Sequence, residues 1–255
     1  MNKSSYAIET NLSEKLKARL DINAKTSAVD FQQWLQDKIR IGQGDSVLDV
    51  ACGTGAQSLR FLDRVGPGGS VFAVDAMATS VEQLRKVTEG RSLTAEVGDM
   101  MDLRSIIGER KFDVAACTYA VYYAEDPAGV LQAMYDALLP CGRLMVCVPS
   151  GPHGLVDLVR KYSPIPAVVD ESLEIGPSIL APFFSDRFDA YSIHYLRNAQ
   201  TLPDVATVMQ SLENAAYFDP STRTEIEADV GRRIATDGAF KFFKRSFLIV
   251  SEAGK

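Results

Sequence analysis

Between Asp45 and Ser150 the chain alternates short apolar runs with helical stretches, and this pattern constrains the fold more than any other feature. "SVLDV" reads as a strand and "AQSLRFLDRV" as a helix. After the turn "GPGG" come the strand "SVFAVD" and the helix "ATSVEQLRKVTEG". "SLTAEVGD" reads as a third strand, with a short helix at 102–108. "KFDVAACTYAV" reads as a fourth strand, "DPAGVLQAMYDALLP" as a helix and "CGRLMVCVPS" as a fifth strand. Strands of this length alternating with helices predict a doubly wound α/β sheet, parallel and covered on both faces. Right-handed crossovers bring every C-terminal strand end to one edge, where ligands of such sheets bind.

The flanks are less regular. "NLSEKLKARL" and "SAVDFQQWLQDKI" predict two N-terminal helices, the second with Ser27 as its N-cap. Beyond Ser150, "GPHGLVDLVRKYSPIP" starts as a helix and "DESLEIGPSILAPFFSD" is ambiguous. "AYSIHYLRNA" reads as a strand and two helices follow. "AFKFFKRSFLIVS" closes the pattern as a strand, with "KFFKR" read as the solvated side of an edge strand. The expected organisation is a single domain over 1–255. It comprises an N-terminal helical flap at 1–40 and a cofactor-binding core at 41–150. An acceptor-side lid and sixth strand follow at 151–240, and a final strand at 241–255.

Composition narrows the function. With 27 basic and 33 acidic residues the net charge is -6, which gives no global field for nucleic acid. No apolar run reaches the roughly 18 residues of a membrane span, and the N-terminal stretch has no apolar signal core. The expectation is a cytoplasmic protein that does not bind membranes. Four cysteines without a CxxC pair and only two histidines predict no metal site.

"VLDVACGTGAQS" carries the chemistry. A strand, a glycine turn and a helix N-terminus let a ligand approach backbone closely. Gly53 and Gly55 fit the dinucleotide fingerprint, but Ser58 stands at its third glycine. Asp49 would repel a pyrophosphate and attract an ammonium group, which argues against a nicotinamide-dependent oxidoreductase. Asp75 ends the second strand, where a carboxylate can accept both hydroxyls of a ribose. Asp99 ends the third, where it can accept from an adenine amino group while the Met100 N–H meets a ring nitrogen. Three acids at successive strand ends describe one elongated ligand of ammonium, ribose and adenine.

"VLDVACGTG", "VFAVD", "VGDMMDL", "FDVAACTYAVYY" and "LLPCGRLMVCVPS" resemble successive motifs of class I S-adenosylmethionine-dependent methyltransferases, over residues 40 to 150. The resemblance implies a Rossmann-like sheet of about seven strands with an antiparallel last strand, and S-adenosylmethionine as cofactor. It also implies that Asp49, Gly53 and Gly55 face the methionine part, with Cys117 near it, Asp75 the ribose, and Asp99 with Met100 the adenine. Ala51, Gln57, Ala76 and Met101 are the further expected cofactor-binding residues. Cys141 departs from the commoner "PGG", and the fourth strand lacks the "NPPY"-like stretch of many enzymes that methylate amino groups of bases or glutamine.

On the acceptor side, Tyr119 and His153 are the candidate catalytic residues, His153 as a general base and Tyr119 chiefly as pocket wall. Tyr122 and Tyr123 are candidates for substrate contact, His194 for a core or lid position, and Tyr6 for the flap. The expected reaction is methyl transfer to an oxygen or nitrogen of a small-molecule acceptor. The alternatives are an RNA or protein acceptor, supported by Lys15, Lys17 and Arg19 on the first helix, or a non-catalytic cofactor-binding subunit. The oligomeric state is left open.

Overall fold

The computed structural model describes residues 13–252. Tyr6 and the rest of the flap before residue 13 lie outside the described residues. Seven strands form one sheet: β1 (Ser46–Val50), β2 (Ser70–Asp75), β3 (Leu93–Val97), β4 (Phe112–Thr118), β5 (Leu138–Pro149), β6 (Tyr191–Leu202) and β7 (Phe240–Ser251). Their order is β3-β2-β1-β4-β5-β7-β6. β1 pairs in parallel with both β2 and β4, so the strand order reverses there and opens a crevice at the C-terminal edge. β7 runs antiparallel to both of its neighbours.

Alternation along β1 divides the core. Leu48 and Val50 join one apolar layer with α5 (Leu103–Ile107) and α6 (Pro127–Asp136). Val47 faces the other, with α2 (Phe31–Gln36) and α3 (Ala56–Val65). α4 (Ala78–Val87) extends that second layer over β2 and β3. Side chains two apart on a strand share a face, so Asp49 points the same way as Val47, towards α3.

The first described helix, α1 (Ser13–Thr26), lies against β6. Ser27 does not cap the helix after it. It forms a β-bridge with Gln200, and Asp30 takes the capping role, accepting from Gln32 N (2.9 Å) and Gln33 N (3.0 Å). The bridge draws Ser27 into extended pairing, so a carboxylate three residues on meets the free N–H groups of α2.

The ambiguous stretch after Ser150 is helical. α7 (Gly154–Val159), α8 (Ala167–Ile175), a π-helical turn at Gly176–Leu180 and α9 (Ala181–Arg187) lead to β6. Between β6 and β7 come α10 (Val205–Glu213) and α11 (Arg223–Asp237). Gly176 is required for close packing, since a Cβ there would lie 2.8 Å from the Phe247 ring.

One expectation holds only in part. "KFFKR" lies in β7, which β6 covers on one side, so β6 and not β7 is the edge of the sheet. β5 pairs with β7 only as far as Pro149↔Ser246, whereas β6 and β7 stay paired to Leu202↔Phe240. The two strands therefore run on as a ribbon beyond the C-terminal edge. Lys244 and Ser246, with their partners Asn198 and Leu196, share the face of that ribbon that lines the cavity described below.

Candidate functional site

The sequence makes a strand, a sharp turn and a helix within 20 residues. Asp49 sits near the end of β1, only 2% exposed, with Ser58 of α3 donating its hydroxyl to Oδ2 at 2.5 Å. Ser58 therefore has a use that a third fingerprint glycine could not supply: it holds the carboxylate. Burial raises the Asp49 carboxyl to about 7, against the pull of the Ser58 bond, and the neighbouring Asp75 charge adds to the rise. A carboxylate so placed gains most from a cation.

The turn after β1 has unusual backbone. Ala51 has φ 56° and Gly53 φ 55°, both left-handed. Gly55 follows at φ 80°, and a Cβ there would lie 2.4 Å from the Leu84 side chain. Only glycine fits both the angle and the close approach of α4. Tyr119, just past β4, also has a positive φ of 56°. Strained non-glycine residues thus flank the crevice at the ends of β1 and β4, where strain of about 1–3 kcal/mol each is tolerated only if packing enforces it.

Asp75 is nearly buried, and its two oxygens accept from Gly53 N (2.7 Å) and Met77 N (2.8 Å). Burial raises its pKa and these two bonds oppose the rise. Asp99 accepts from Met101 N at 2.9 Å and caps the short turn Met100–Asp102. The carboxylates of Asp75 and Asp99 thus shape their own loops as well as facing the crevice.

All three acids open into one cavity of about 1400 Å³. This exceeds the roughly 300–1,000 Å³ of a single-ligand pocket, so it has room for two molecules. Of the expected cofactor residues, Ala51, Gly53, Gln57, Ala76, Met100 and Met101 also line it. Gly55 and Cys117 do not. Gly55 sits beneath the turn, and the Cys117 side chain packs in the layer opposite Asp49. Gln57 is buried and bonded to Gln36 (2.8 Å) and to Gln32, so it joins α3 to the N-terminal segment.

On the acceptor side, Tyr119, Tyr122, Tyr123 and His153 line the cavity. The Tyr119 hydroxyl is 2.6 Å from Ser246 Oγ, and burial holds the phenol well above its usual range. His153 has a buried Nδ1 without a hydrogen-bond partner. Burial, and then the Lys244 and Arg245 charges, push its imidazole down to about 3, so it is neutral near pH 7 and a weak base. His194 lies on the edge strand, 3.0 Å from Ser192 Oγ, and does not line the cavity.

Sequence reasoning missed Thr118 and Lys244 as contributors, and it placed Arg19 on an outer basic face and not in the cavity. Thr118 lines the cavity at the end of β4 with a buried hydroxyl that has no partner. Lys244 lines it from β7, and Arg19 from α1. The alternation Lys244, Ser246, Leu248 was the available signal for Lys244, and it required knowing which strand covers β7.

The fit to the cofactor can be tested on these groups. A buried carboxylate without a cation, a glycine turn of close approach and an orphaned hydroxyl suit a cationic, hydroxyl-bearing ligand better than a pyrophosphate.

Comparison with known proteins agrees. A methyltransferase-domain family matches residues 41–215. A demethylmenaquinone methyltransferase of Lactobacillus johnsonii is 29% identical over 45% of this chain and 48% of its own length. The ubiquinone/menaquinone biosynthesis C-methyltransferase UbiE of Ruegeria sp. is 28% identical over 71% of this chain and 69% of its own length. The chain thus spans about half to two thirds of the length of these relatives. A crystal structure from Bacillus halodurans shares the fold, with TM-score 0.59 and 18% identity over 89% of this chain and 98% of that one. The sheet, the crevice and the family match lead to one conclusion: the chain belongs to the methyltransferase-domain family, with the class I Rossmann-like fold.

Proposed function

We propose that this protein transfers a methyl group from S-adenosylmethionine to a small molecule enclosed in the cavity. The observation that carries the reading is Asp49. It is a buried carboxylate, held by one hydroxyl, in the wall of a cavity large enough for cofactor and acceptor together. Asp49 would meet the ammonium group, Asp75 the ribose hydroxyls and Asp99 the adenine amino group. The Thr118 hydroxyl is free to contact the methionine part.

When bound, the cofactor supplies an activated methyl on a sulfonium. The chain's own residues then have to hold an acceptor atom about 3 Å from that carbon, opposite the sulfur, and keep water out. Tyr119 is anchored to Ser246 and packs edge-on against Phe31, with ring centroids 5.4 Å apart. It makes a rigid wall and keeps its proton. His153, neutral and weakly basic, suits a hydrogen-bonding role better than proton abstraction.

Arg19 is half-buried and lines the cavity, so part of the basic character of α1 is directed inward. This favours a small enclosed acceptor over RNA or a protein surface. One relative is named a C-methyltransferase, so carbon joins oxygen and nitrogen as the acceptor atoms that product analysis must separate. Calorimetric titration with S-adenosylmethionine, S-adenosylhomocysteine and NAD tests the first half. Micromolar binding of the first two and none of NAD is expected, and binding of NAD alone would overturn the reading. Turnover with any small acceptor then removes the non-catalytic alternative.

A further inference from the structure

Three carboxylates and a lysine stand at different ends of the cavity, whose wall also holds Asp21 and Arg60. Asp49, Asp75 and Asp99 stand at the β1–β3 end. Lys244 lies three strands from β1 along the sheet, about 14 Å at the usual strand spacing. Arg19 reaches the same region from α1, since its charge acts on Lys244, Tyr122 and Tyr217 alike. The recorded partner of the Lys244 ammonium is the amide oxygen of Asn23. Among the described residues, no carboxylate forms an ion pair with it.

We propose that the acceptor carries an anionic oxygen group, held by Lys244 with Arg19 at the end of the cavity away from Asp49. The proposal rests on the methyltransferase reading and names the class of molecule that fills the second half of the cavity.

The first support is the cost of the arrangement. A half-buried ammonium near a second positive charge, with a neutral amide as its hydrogen-bond partner, is unfavourable on its own. Burial and then the Arg19 charge pull Lys244 down to about 7. An oxyanion would restore the charge on the lysine and offset the repulsion between the two cations. The second support is His153, whose buried Nδ1 lacks a partner in the same wall and which can donate a hydrogen bond when that nitrogen carries the proton. The third is placement. Asn198 and Gln200 belong to the same wall, but their amides are used by the segment between α1 and α2, through Val29 and Ser27. Lys244 therefore faces the cavity from this wall with an ammonium that neither of these amides engages.

The test is fluorescence titration of the full chain saturated with S-adenosylhomocysteine. The probes are anilinonaphthalene sulfonate and phenylnaphthylamine, which has the same rings without the sulfonate. The sulfonate should bind at least about tenfold more tightly, since one close charge pair at an effective dielectric near 20 exceeds that preference. Lys244→Met should abolish the preference and Lys244→Arg should keep it. Lys244→Gln replaces the methionine variant if that one does not fold. Equal binding of the two probes, binding of neither, or a preference that survives the loss of Lys244 would each overturn the proposal. Competition with naphthoate and with uncharged naphthol should show displacement by the first and not the second, and displacement by neither, or equally by both, also counts against it. Absence of S-adenosylhomocysteine binding would sink the methyltransferase reading. Binding of that ligand without an anion preference would sink this inference alone.

Discussion

The two ends of the cavity are built differently. At the β1 end the partners are near neighbours in sequence: Ser58 reaches Asp49 across nine residues, and Asp75 bonds Met77 two residues on. At the ribbon end the partners are far apart. Asn198 holds Val29 across 169 residues, and Lys244 meets Asn23 across 221. The near end is a local device, a strand and turn that can accept a common ligand. The far end is assembled by the whole chain, and there the relatives can differ in acceptor without disturbing the sheet.

The sharpest way to break this contrast is Asp49→Asn. The amide can keep the Ser58 contact but removes the charge meant for an ammonium group. Affinity for S-adenosylmethionine should fall by about 2–5 kcal/mol, the usual cost of removing one partner of a buried charged pair. Stability without ligand should move the other way at pH 8. A carboxyl raised to about 7 by burial is costly to ionise, so the variant should gain roughly 2–4 kcal/mol in denaturation. Loss of binding together with loss of stability would mean that Asp49 is a structural acid and not a ligand site.

A second test uses pH. Asp49 is raised above its unfolded value, so its contribution to the stability of the free protein is present below that value and lost as pH rises through about 7. A bound ammonium needs the ionised form, so below pH 7 binding must release a proton. Affinity should therefore drop about tenfold between pH 8 and pH 6, and the Asn variant should lose that dependence. Asp75 faces the same pocket with a raised pKa and acts in the same direction. Cys52 and Cys117 are pushed up by burial and stay neutral thiols across this range. A flat profile in the native protein would break the link between Asp49 and the ligand.

The same contrast explains what was legible in the sequence. The five parallel strands and the glycine turn follow from periodicity and spacing, because each is decided within a dozen residues. The three acids were found for that reason, and so was the crevice. Lys244 was read as solvated because "KFFKR" is rich in charge. Its place on the face shared with Ser246, over the cavity, depends on where the ribbon of β6 and β7 runs. Ser27 was read as a helix cap because nothing local reveals a bridge to Gln200. The helical nature of 167–187 was hidden by Gly176 and Pro177, which interrupt the pattern yet fit a π-helical turn against Phe247.

The ribbon end offers a smaller test. Asn198 is buried and pairs with both backbone groups of Val29, at 3.0 and 2.8 Å. Asn198→Ala leaves those groups unpaired and should cost about 1–3 kcal/mol in thermal or chemical denaturation. If the two ends are independent, affinity for S-adenosylmethionine should stay within about twofold while acceptor turnover falls, since sites beyond about 7–10 Å apart usually add without coupling. A matching loss of cofactor affinity would show that α1 closes over both ligands as one unit, and the contrast between the ends would have to be redrawn.

The smallest effect is expected at His153. Its imidazole is held at about 3 by burial, then by Lys244 and Arg245. A base of that strength would be neutral across the working range and would take a proton only weakly, so removing it should cost little in rate. His153→Gln keeps a hydrogen-bonding group in the wall and should lower turnover by no more than about threefold, well short of the 10²–10⁴-fold typical of a lost general base. The pH–rate profile should keep its shape, because a group with that pKa has no inflection near neutrality. A fall of a hundredfold or more, with unchanged cofactor affinity, would restore His153 as the base. It would also mean that the bound acceptor reverses the charge around the imidazole. That reversal is what an oxyanion beside Lys244 would do, so the two results must be read together. A large His153 effect without anion preference would leave the base real and the charge argument wrong. A small effect with strong anion preference would leave Lys244 and Arg19 as the groups that hold the acceptor.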